Sequence, residues 1–148
     1  MVWKPHVTVA AVAERDGRFL VVEEEIRGKR VFNNPAGHLD PGESLIQAVR
    51  RETLEETGWD FEPEMVTGIY LWHNPEVDAT FLRVAFHGRC LRHHPELKLD
   101  HGIVATHWLT REDLASERHP LRTPLVLHCI DDMRAGKRYP LELLSHLD

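Results

Sequence analysis

The chain has 148 residues, of which 42% are hydrophobic and 28% are charged. This composition is typical of a folded globular protein and excludes disordered and fibrous classes. The formal net charge of -6 excludes the basic footprint that binding to long DNA or RNA requires. If the ligand is an anion, its charge must be met locally, by a metal ion or by a few arginines.

Two antiparallel strands are predicted to open the fold. Residues 7–12 form a small, β-branched run, and a second run, FLVVEE, begins at Phe19. The intervening RDG supplies the turn chemistry of a hairpin. From Asn33 onward the stretch NNPAGHLDPGE is dense in Asn, Pro and Gly, which predicts a loop.

A helix is predicted directly after this loop. Ser44 followed by Gln47 has the pattern of a capping box, and Gly58 is suited to end the helix. Beyond it, TGIYLWH, ATFLRVAFHG and IVATHWL are predicted strands, and REDLAS and PLVLHCIDDMRAG are predicted helices. No repeat or linker divides the sequence, so we expect one domain over residues 1–148.

Acidic residues continue the apolar face of the predicted helix. At 100° per residue, Leu45, Val49, Glu52 and Glu56 lie on one side, and Glu55 projects beside them. Glutamates on helices ordinarily form a solvated face with weak ion pairs. Carboxylates that follow an apolar face would repel one another unless a cation lay between them. Magnesium fits this description because it prefers carboxylate oxygens and completes its shell with substrate phosphates.

Seven residues around the helix stand at the spacing Gx5Ex7REUxEExGU, where U is a bulky apolar residue. They are Gly37, Glu43, Arg51, Glu52, Glu55, Glu56 and Gly58. This pattern resembles the signature of the Nudix hydrolases. Thr53 departs from it at the first U position, whereas Trp59 satisfies the second. The resemblance implies an α/β fold, the Nudix α/β/α sandwich with a mixed β-sheet between helices.

The same resemblance implies roles for individual residues. Glu52, Glu55, Glu56 and the carbonyl of Gly37 would bind magnesium, with manganese as an alternative ion. Glu52 and Glu55 would act in catalysis, and Arg51 would orient the acids. For Arg51, a plain local ion pair with Glu55 one turn later is an equally good interpretation.

The resemblance extends beyond the signature. The stretches KPHVTVA, FLVVEE, NNPAGHL, FLR, RTPLV and GKRYPLE are similar to the NudJ-type branch of the family. This likeness implies hydrolysis of nucleoside tri- and diphosphates and of related diphosphates, including hydroxymethylpyrimidine diphosphate, with release of orthophosphate. A pyrophosphohydrolase of ADP-ribose, a dinucleotide or a nucleotide sugar is the alternative. A ligand-sensing Nudix-like domain without hydrolysis is a more distant one.

The chemistry requires a general base but no protein nucleophile. Metal ions neutralise phosphate oxygens and position the attacking water, and the sequence contains no GxSxG motif. The base stays open between Glu55 and Asp100. Related enzymes often have an acid six residues before the tryptophan that stands here as Trp108, where this chain has Gly102. A solvated loop is the other interpretation of Asp100.

Four residues outside the helix are candidates for substrate contact. His38 lies beside Gly37 and is placed to contact phosphate or support the site. Phe32 and Trp72 could stack on a base or pyrimidine ring, although core or rim packing is the more ordinary role. Arg83 shares a strand face with apolar residues, where an unpaired charge is costly. It either clamps a phosphate or pairs with an acid of the helix.

Cys90 and Cys129 belong to no CxxC pattern, which predicts reduced thiols in a cytoplasmic protein. The start MVWKPHVTVAAVAE lacks a basic segment followed by an apolar stretch, and no run approaches the ~20 apolar residues of a membrane helix. We therefore expect a monomer or small homo-oligomer without a membrane partner. Its expected ligand is a small nucleotide or diphosphate.

Overall fold

A computed structural model describes residues 1–147 of the protein, which form seven strands and three helices. In chain order these are β1 (His6–Arg15), β2 (Arg18–Ile26), β3 (Lys29–Asn33), β4 (Ala36–His38), α1 (Leu45–Thr57), β5 (Trp59–Asn74), β6 (Ala79–His93), β7 (Ile103–Thr110), α2 (Arg111–Leu114) and α3 (Leu125–Arg134), followed by a short 3-10 turn, Leu141–Leu143. Within this range, none of the helices has the length and apolar character needed to cross a membrane.

The strands form a mixed sheet. Its order is β3-β2-β1-β6-β5, with β4 paired to β1 and β7 paired to β2. β1 and β6 are parallel, and the other pairs are antiparallel. β1 pairs with β2 only beside their turn, at Glu14 with Phe19 and at Arg15 with Arg18. The two strands therefore separate beyond the turn, and β4 takes a place beside β1.

Side chains of β1 alternate between two apolar cores. Ala10 and Val12 pack in the core on the α3 side, whereas Val9 and Ala11 pack in the core on the α1 side. This follows from the two-residue period of a strand. Leu20 of β2 also belongs to the α1 side. Helices cover both faces of the sheet, which confirms the α/β class with a mixed sheet between helices.

Helix α1 begins and ends where the sequence predicts. The Ser44 hydroxyl oxygen accepts a hydrogen bond from the Gln47 N–H at 3.1 Å, and the Gln47 side-chain oxygen accepts one from the Ser44 N–H at 2.8 Å. Gly58 has a left-handed φ of 75° and donates its N–H to the Leu54 carbonyl. Both caps are confirmed, and they fix which residues of α1 face the sheet.

Two short strands were missed by the sequence analysis. β3 follows a second tight turn, Arg27 and Gly28, whose φ angles are positive like those of Asp16 and Gly17. β4 lies inside the stretch that was predicted as loop, and it pairs with β1. The loop prediction is therefore wrong for Ala36–His38. Local composition does not reveal that three residues will pair with a strand almost 30 positions earlier.

Both cysteines are free thiols. Cys129 is fully buried in the core on the α3 side, and Cys90 is partly buried on β6. Burial raises the pKa of the Cys90 thiol to about 11 and also raises the pKa of Cys129. Both side chains are therefore held as neutral thiols at neutral pH.

Candidate active site

Helix α1 directs two acids inward, as its helical spacing predicts. Glu52 and Glu56 are 9% and 8% exposed, whereas Glu55 beside them is partly exposed. Burial raises the pKa of Glu52 and raises the pKa of Glu56 to about 9. Burial disfavours the charged form of a carboxylate. A positive partner is therefore needed if both groups are to be ionised at neutral pH.

The backbone of β4 holds Glu56 in place. The Ala36 N–H donates a hydrogen bond to Glu56 Oε1 at 2.9 Å. Burial outweighs this bond in its effect on the Glu56 pKa, and the negative charges of Glu24, Glu52 and Asp100 act in the same direction as burial. Glu56 is thus positioned by the strand and surrounded by other acids.

Gly37 leaves room for the Glu52 carboxylate. An ideal Cβ at this position would overlap the Glu52 carboxyl group. Gly37 is not among the glycines with positive φ, so close approach rather than backbone conformation requires glycine here. The structure thus gives a steric reason for the first residue of the signature. The role of its carbonyl as a metal ligand stays a prediction.

Arg51 connects four acids, Asp40 at 3.3 Å among them, with the loop before α1. Its Nε and Nη2 donate to the Glu43 carboxylate at 3.0 and 2.7 Å, and its Nη1 donates to Glu52 at 2.8 Å and to Glu55 at 3.3 Å. Nη2 also donates to the His38 carbonyl at 2.9 Å. The hydrogen bonds to Glu43 raise the pKa of Arg51 further. These contacts favour the orienting role over a local pair with Glu55 alone.

Asp100 joins the acids of α1. Carboxylate oxygens of Glu52, Glu55 and Asp100 all lie within 4.8 Å of one another. The Asp100 N–H donates to the Glu55 carbonyl at 3.0 Å, which ties the loop to the end of α1. The Asp100 side chain is exposed, but this loop is attached to the acidic helix. The group differs from the metal ligands expected from the resemblance, because it contains Asp100 and not Glu56.

A cavity of about 480 Å³ lies beside β4, the strand that contacts Glu52 and Glu56. Ala36, Gly37 and His38 of β4 line it, and the first two also contact Glu56 and Glu52. Its volume is in the range of small-molecule sites, ~300–1,000 Å³. β4 therefore joins the acidic helix to a cavity large enough for a nucleotide-sized ligand. The substrate contact of His38 stays a prediction.

The cavity wall is positively charged although the chain is acidic. Arg27, Lys29, Arg83 and Arg122 line it, and Glu76 is the acidic residue among its lining side chains. The chain has a net charge of -6, so an anionic ligand needs positive charge close to its binding site. The basic side chains of the cavity wall supply that charge. The sequence analysis had singled out only Arg83 of these four.

Arg83 is a buried cation with neutral partners. It is 5% exposed and donates to the side-chain oxygens of Asn34 at 3.0 Å and Asn33 at 3.3 Å. Burial lowers its pKa. Within residues 1–147 it forms no ion pair at 4.0 Å or less with a carboxylate.

One of the two interpretations of Arg83 is therefore wrong. It forms no ion pair at 4.0 Å or less with an acid of α1; two of its N–H groups donate to the side-chain oxygens of Asn34 and Asn33, and its other N–H groups stay available to a ligand. The phosphate-clamp interpretation stays a prediction. The Asn-Asn pair was visible in the sequence as part of the loop, but its link to a residue about 50 positions later was not.

The two aromatic candidates lie in different places. Trp72 lines the cavity with Phe81, and their rings stack with centroids 6.0 Å apart. Phe32 is buried in the core on the α3 side, with its ring against His119 at 4.9 Å and His107 at 5.7 Å. It is absent from the cavity wall. The ring of Phe32 is thus used in core packing, the more ordinary role considered for it, and its contact with substrate stays a prediction without support from the cavity.

The fold and the acidic helix define the class of the protein. A profile of the NUDIX domain matches residues 3–128. The chain belongs to the Nudix hydrolase family. It is therefore an enzyme of a family that hydrolyses phosphoanhydride bonds, which confirms the resemblance seen in the sequence.

Particular relatives are similar over almost the whole chain. The chain is 40% identical to Phosphatase NudJ of Escherichia coli over 143 residues, which cover 97% of this chain and 92% of that protein. The structure of a NUDIX hydrolase from Nitrosomonas europaea matches with a TM-score of 0.94 and 50% identity, covering 97% and 98% of the two chains. The NUDIX domain of Shewanella oneidensis NrtR, complexed with ADP ribose, has a TM-score of 0.72 and 18% identity over 91% and 90%. This last likeness concerns the fold alone.

Proposed function

We propose that the protein is a magnesium-dependent phosphatase of nucleoside tri- and diphosphates and of related small diphosphates, from which it releases orthophosphate. The observation that carries this proposal is the group of Glu52, Glu55 and Asp100, together with a positively charged cavity that β4 connects to the acids of α1. Similarity to Phosphatase NudJ over 97% of the chain supports a phosphatase over other activities of the family.

The donor set of the site fits magnesium. The group consists of carboxylate oxygens without a histidine or cysteine, and such hard donors suit Mg²⁺ or Mn²⁺ rather than zinc. Glu56 and the Gly37 carbonyl are further ligands in this proposal. A bound Mg²⁺ would supply charge neutralisation of the phosphate oxygens and a lowered pKa for the attacking water. Nucleotides suit this chemistry because their phosphate oxygens bind Mg²⁺. In this proposal the protein acts on them in the cytoplasm.

The residues of α1 and of the loop between β6 and β7 have distinct parts in the proposed reaction. Arg51 keeps Glu52 and Glu55 in fixed positions through its hydrogen bonds. Glu55 or Asp100 accepts the proton of the attacking water, since both carboxylates lie in the same group. Glu55 is already held by the arginine, whereas the Asp100 side chain is exposed. We keep both as candidates for the general base.

The cavity residues bind the rest of the substrate in this proposal. Arg83 donates hydrogen bonds to a phosphate, which compensates a buried charge that otherwise has only neutral partners. The stacked rings of Trp72 and Phe81 offer an apolar face for a base or pyrimidine ring. His38 of β4 lines the cavity, and its carbonyl accepts a hydrogen bond from Arg51. An anionic diphosphate with an aromatic ring matches these features.

A hydrolysis panel tests the proposal. Metal-stripped protein is given Mg²⁺ together with GTP, GDP, ADP-ribose, a dinucleotide or hydroxymethylpyrimidine diphosphate, and orthophosphate and pyrophosphate are measured separately. We expect orthophosphate from the tri- and diphosphates. The Glu56→Gln variant should lose this activity. Glu62→Gln is the matched control, because Glu62 pairs with Arg50 on the surface and its loss changes the charge equally.

Other outcomes would assign a different function. Cleavage confined to ADP-ribose or the dinucleotide would indicate the pyrophosphohydrolase alternative. Tight nucleotide binding without turnover would indicate a ligand-sensing domain. Hydrolysis in ¹⁸O-labelled water locates the attacked phosphorus, because the label enters orthophosphate only if water attacks the terminal phosphoryl group.

A further inference from the structure

The segment between α2 and α3 forms one wall of the cavity. Its residues Leu121, Arg122 and Thr123 line the space, and its backbone is tied to β3 at two places. The Phe32 N–H donates to the Pro120 carbonyl at 2.8 Å, and the Arg122 N–H donates to the Phe32 carbonyl at 2.9 Å. Main-chain hydrogen bonds therefore hold this segment, independently of the Arg122 side chain.

Glu24 is a buried acid of β2 behind this wall. The residue is 7% exposed. Ile26, two residues further along β2, and Val31, the residue paired with Glu24 on β3, both line the cavity. Side chains at even spacing and side chains of directly paired residues lie on the same face of a sheet. The Glu24 side chain therefore lies on the face of β2 that borders the cavity.

Arg122 is the hydrogen-bond partner of the Glu24 carboxylate. Its Nη1 donates to Glu24 Oε2 at 2.7 Å, whereas Glu24 Oε1 has no hydrogen-bond partner within residues 1–147. A buried carboxylate is costly unless its contacts compensate the loss of water. Because main-chain bonds already hold the segment, this ion pair is not needed to anchor it. The ion pair instead fixes the direction of the Arg122 side chain.

Arg122 presents free donors to the cavity. Its side chain is 49% exposed, and the ion pair with Glu24 uses Nη1 alone. A guanidinium has five N–H donors, so the Nε and Nη2 groups stay available to a ligand. An arginine that is already held in place loses less conformational freedom when it binds. This arrangement suits an anion with several oxygen acceptors, such as a phosphate group.

Arg83 reaches the same end of β3. Its Nη2 donates to the Asn33 side-chain oxygen at 3.3 Å, and Asn33 directly follows Phe32, which accepts the backbone hydrogen bond from Arg122. Both arginines line the cavity. The carboxylate of Glu24 offsets one of these two positive charges, because Arg83 has neutral partners. A phosphate group between the arginines would neutralise the other.

We propose that Arg122 binds a phosphate group of the substrate together with Arg83, and that Glu24 is the positioning residue that holds Arg122 for this contact. The inference rests on the proposed function, because it takes the ligand to be a nucleoside di- or triphosphate or a related diphosphate. It adds to that function a second arginine for phosphate and a buried acid that acts through it.

Calorimetric titration with a ligand that resists hydrolysis tests the role of Arg122. The ligand is GDP with a methylene group in place of the bridging oxygen of its diphosphate, in the presence of Mg²⁺. We expect Arg122→Gln to bind it about 10-fold or more weakly, since a charge-assisted contact is lost. Arg122→Lys should also bind it more weakly, because an ammonium group lacks the planar fork that contacts carboxylate and phosphate together.

Arg30→Gln is the matched control. Arg30 pairs with Glu23, the residue next to Glu24 on β2, at 3.2 Å, and it is absent from the cavity wall. This variant changes the net charge as Arg122→Gln does, so its Kd for the GDP analogue should equal that of the unaltered protein. Equal weakening in both arginine variants would assign the loss to net charge and overturn the inference.

Glu24 variants separate positioning from a plain effect of charge. Glu24→Leu removes both the acceptor and the negative charge. If Glu24 acted through its charge alone, this change would strengthen the binding of an anion. The positioning role requires Glu24→Leu to weaken binding, and to have no further effect in the Arg122→Gln background. Glu24→Gln keeps an acceptor oxygen and should restore part of the affinity that Glu24→Leu loses.

Inorganic pyrophosphate shows which part of the ligand Arg122 contacts. If the contact is to phosphate, Arg122→Gln should weaken pyrophosphate binding by a factor similar to that for the GDP analogue. Weakened binding of the analogue with unchanged binding of pyrophosphate would overturn the phosphate contact. In the hydrolysis panel, Arg122→Gln should raise KM with little change in kcat. A fall in kcat with unchanged KM would assign the residue a structural role.

The inference and the proposed function fail in different ways. Unchanged affinity for the GDP analogue in folded Arg122→Gln and Arg122→Lys would overturn the inference, even if the protein hydrolyses nucleotides. Binding that depends on Arg122 and Glu24 as expected, in a protein that hydrolyses no member of the panel, would overturn the proposed function and leave the phosphate contact intact.

Discussion

Glu56 couples protonation to folding at the scale of a single side chain. Its pKa rises from 4.5 to about 9 because the carboxyl group is buried. Between these values the folded protein retains a proton that the unfolded chain releases, so the free energy of unfolding falls as the pH rises. The contribution of this proton to stability is fully present below pH 4.5 and is lost as the pH rises through about 9. A cation that replaces this proton reverses the trend.

We predict that the melting temperature in EDTA falls between about pH 5 and about pH 9. In Glu56→Gln this fall should be smaller, because glutamine resembles the protonated acid at every pH. Adding Mg²⁺ should raise the melting temperature most at the alkaline end. Differential scanning fluorimetry across the pH range measures the melting temperature of the unaltered protein, of Glu56→Gln and of the protein with Mg²⁺. Identical pH profiles for both proteins would contradict the role assigned to this carboxyl group.

Gly37 is a second residue whose effect is local. In Gly37→Ala the new methyl group would occupy the place of the Glu52 carboxylate, so that side chain must move. A displacement of about 1 Å at a catalytic group costs roughly 100-fold in rate. We therefore expect kcat to fall by about that factor, with a much smaller change in melting temperature. Steady-state kinetics gives kcat of Gly37→Ala, and thermal unfolding gives its melting temperature. A near-normal kcat would show that the Glu52 carboxylate can shift without loss of function.

Arg83 is a buried charge whose hydrogen-bond partners Asn33 and Asn34 are neutral. We expect Arg83→Gln to raise KM about 10-fold or more, since a charge-assisted phosphate contact is lost. Stability should be unchanged or higher because a buried charge is removed. Arg89→Gln is the control, because Arg89 lies on the same strand β6 but pairs with Glu64 on the surface. A large loss of stability with unaltered KM would assign Arg83 a structural role alone.

At the scale of secondary-structure elements, the caps of α1 determine the direction of its acids. The reciprocal hydrogen bonds of Ser44 and Gln47 hold the first turn, and Gly58 ends the helix. The loop between β6 and β7 is tied to the end of the helix, because the Asp100 N–H donates to the Glu55 carbonyl. Because both ends of the helix are fixed, the spacing of the glutamates in the sequence determines where their carboxylates lie in the fold.

Removing the N-terminal cap should weaken the protein measurably. Ser44→Ala loses the acceptor for the Gln47 N–H, which costs about 1 kcal/mol in typical helices. For a chain of this size we expect the melting temperature to fall by about 2–4 °C. Ser145→Ala is a suitable comparison, because Ser145 is exposed near the end of the chain. Equal melting temperatures for the two variants would mean that tertiary contacts of α1 make the cap unnecessary.

The elements that the sequence predicts well are those specified by neighbouring residues. Capping and the 3.6-residue period operate within α1, so its limits and its buried glutamates could be predicted. β4 could not, because its backbone is ordered by β1. The same holds for Asn33 and Asn34, whose partner is Arg83. Contacts distant in sequence leave no local pattern.

At the scale of the whole molecule, two electrostatic effects oppose each other. The net charge of -6 repels an anionic substrate at long range, whereas the cavity wall attracts it at short range through residues such as Arg27 and Lys29. Clefts lined by one sign of charge raise the local concentration of an oppositely charged ligand. Composition alone reveals the first effect, and only the fold brings together the residues that produce the second.

The salt dependence of kcat/KM distinguishes these effects. If the cavity dominates, kcat/KM should fall as ionic strength rises from about 20 to about 300 mM, because salt screens the exposed positive side chains. If the net charge dominates, kcat/KM should rise. Lys29→Gln should show a smaller salt effect than the unaltered protein if the cavity is responsible. An increase with salt in both proteins would contradict the proposed attraction.

The two cysteines, one buried and one partly buried, have a practical consequence for following the substrate. Because burial raises the pKa of both thiols, neither should be alkylated readily at neutral pH. Val77 is partly exposed and lines the cavity, so Val77→Cys would introduce a selectively reactive position without removal of the native cysteines. A fluorophore attached there would report ligand entry into the cavity in real time. Occupancy could then be followed separately from turnover.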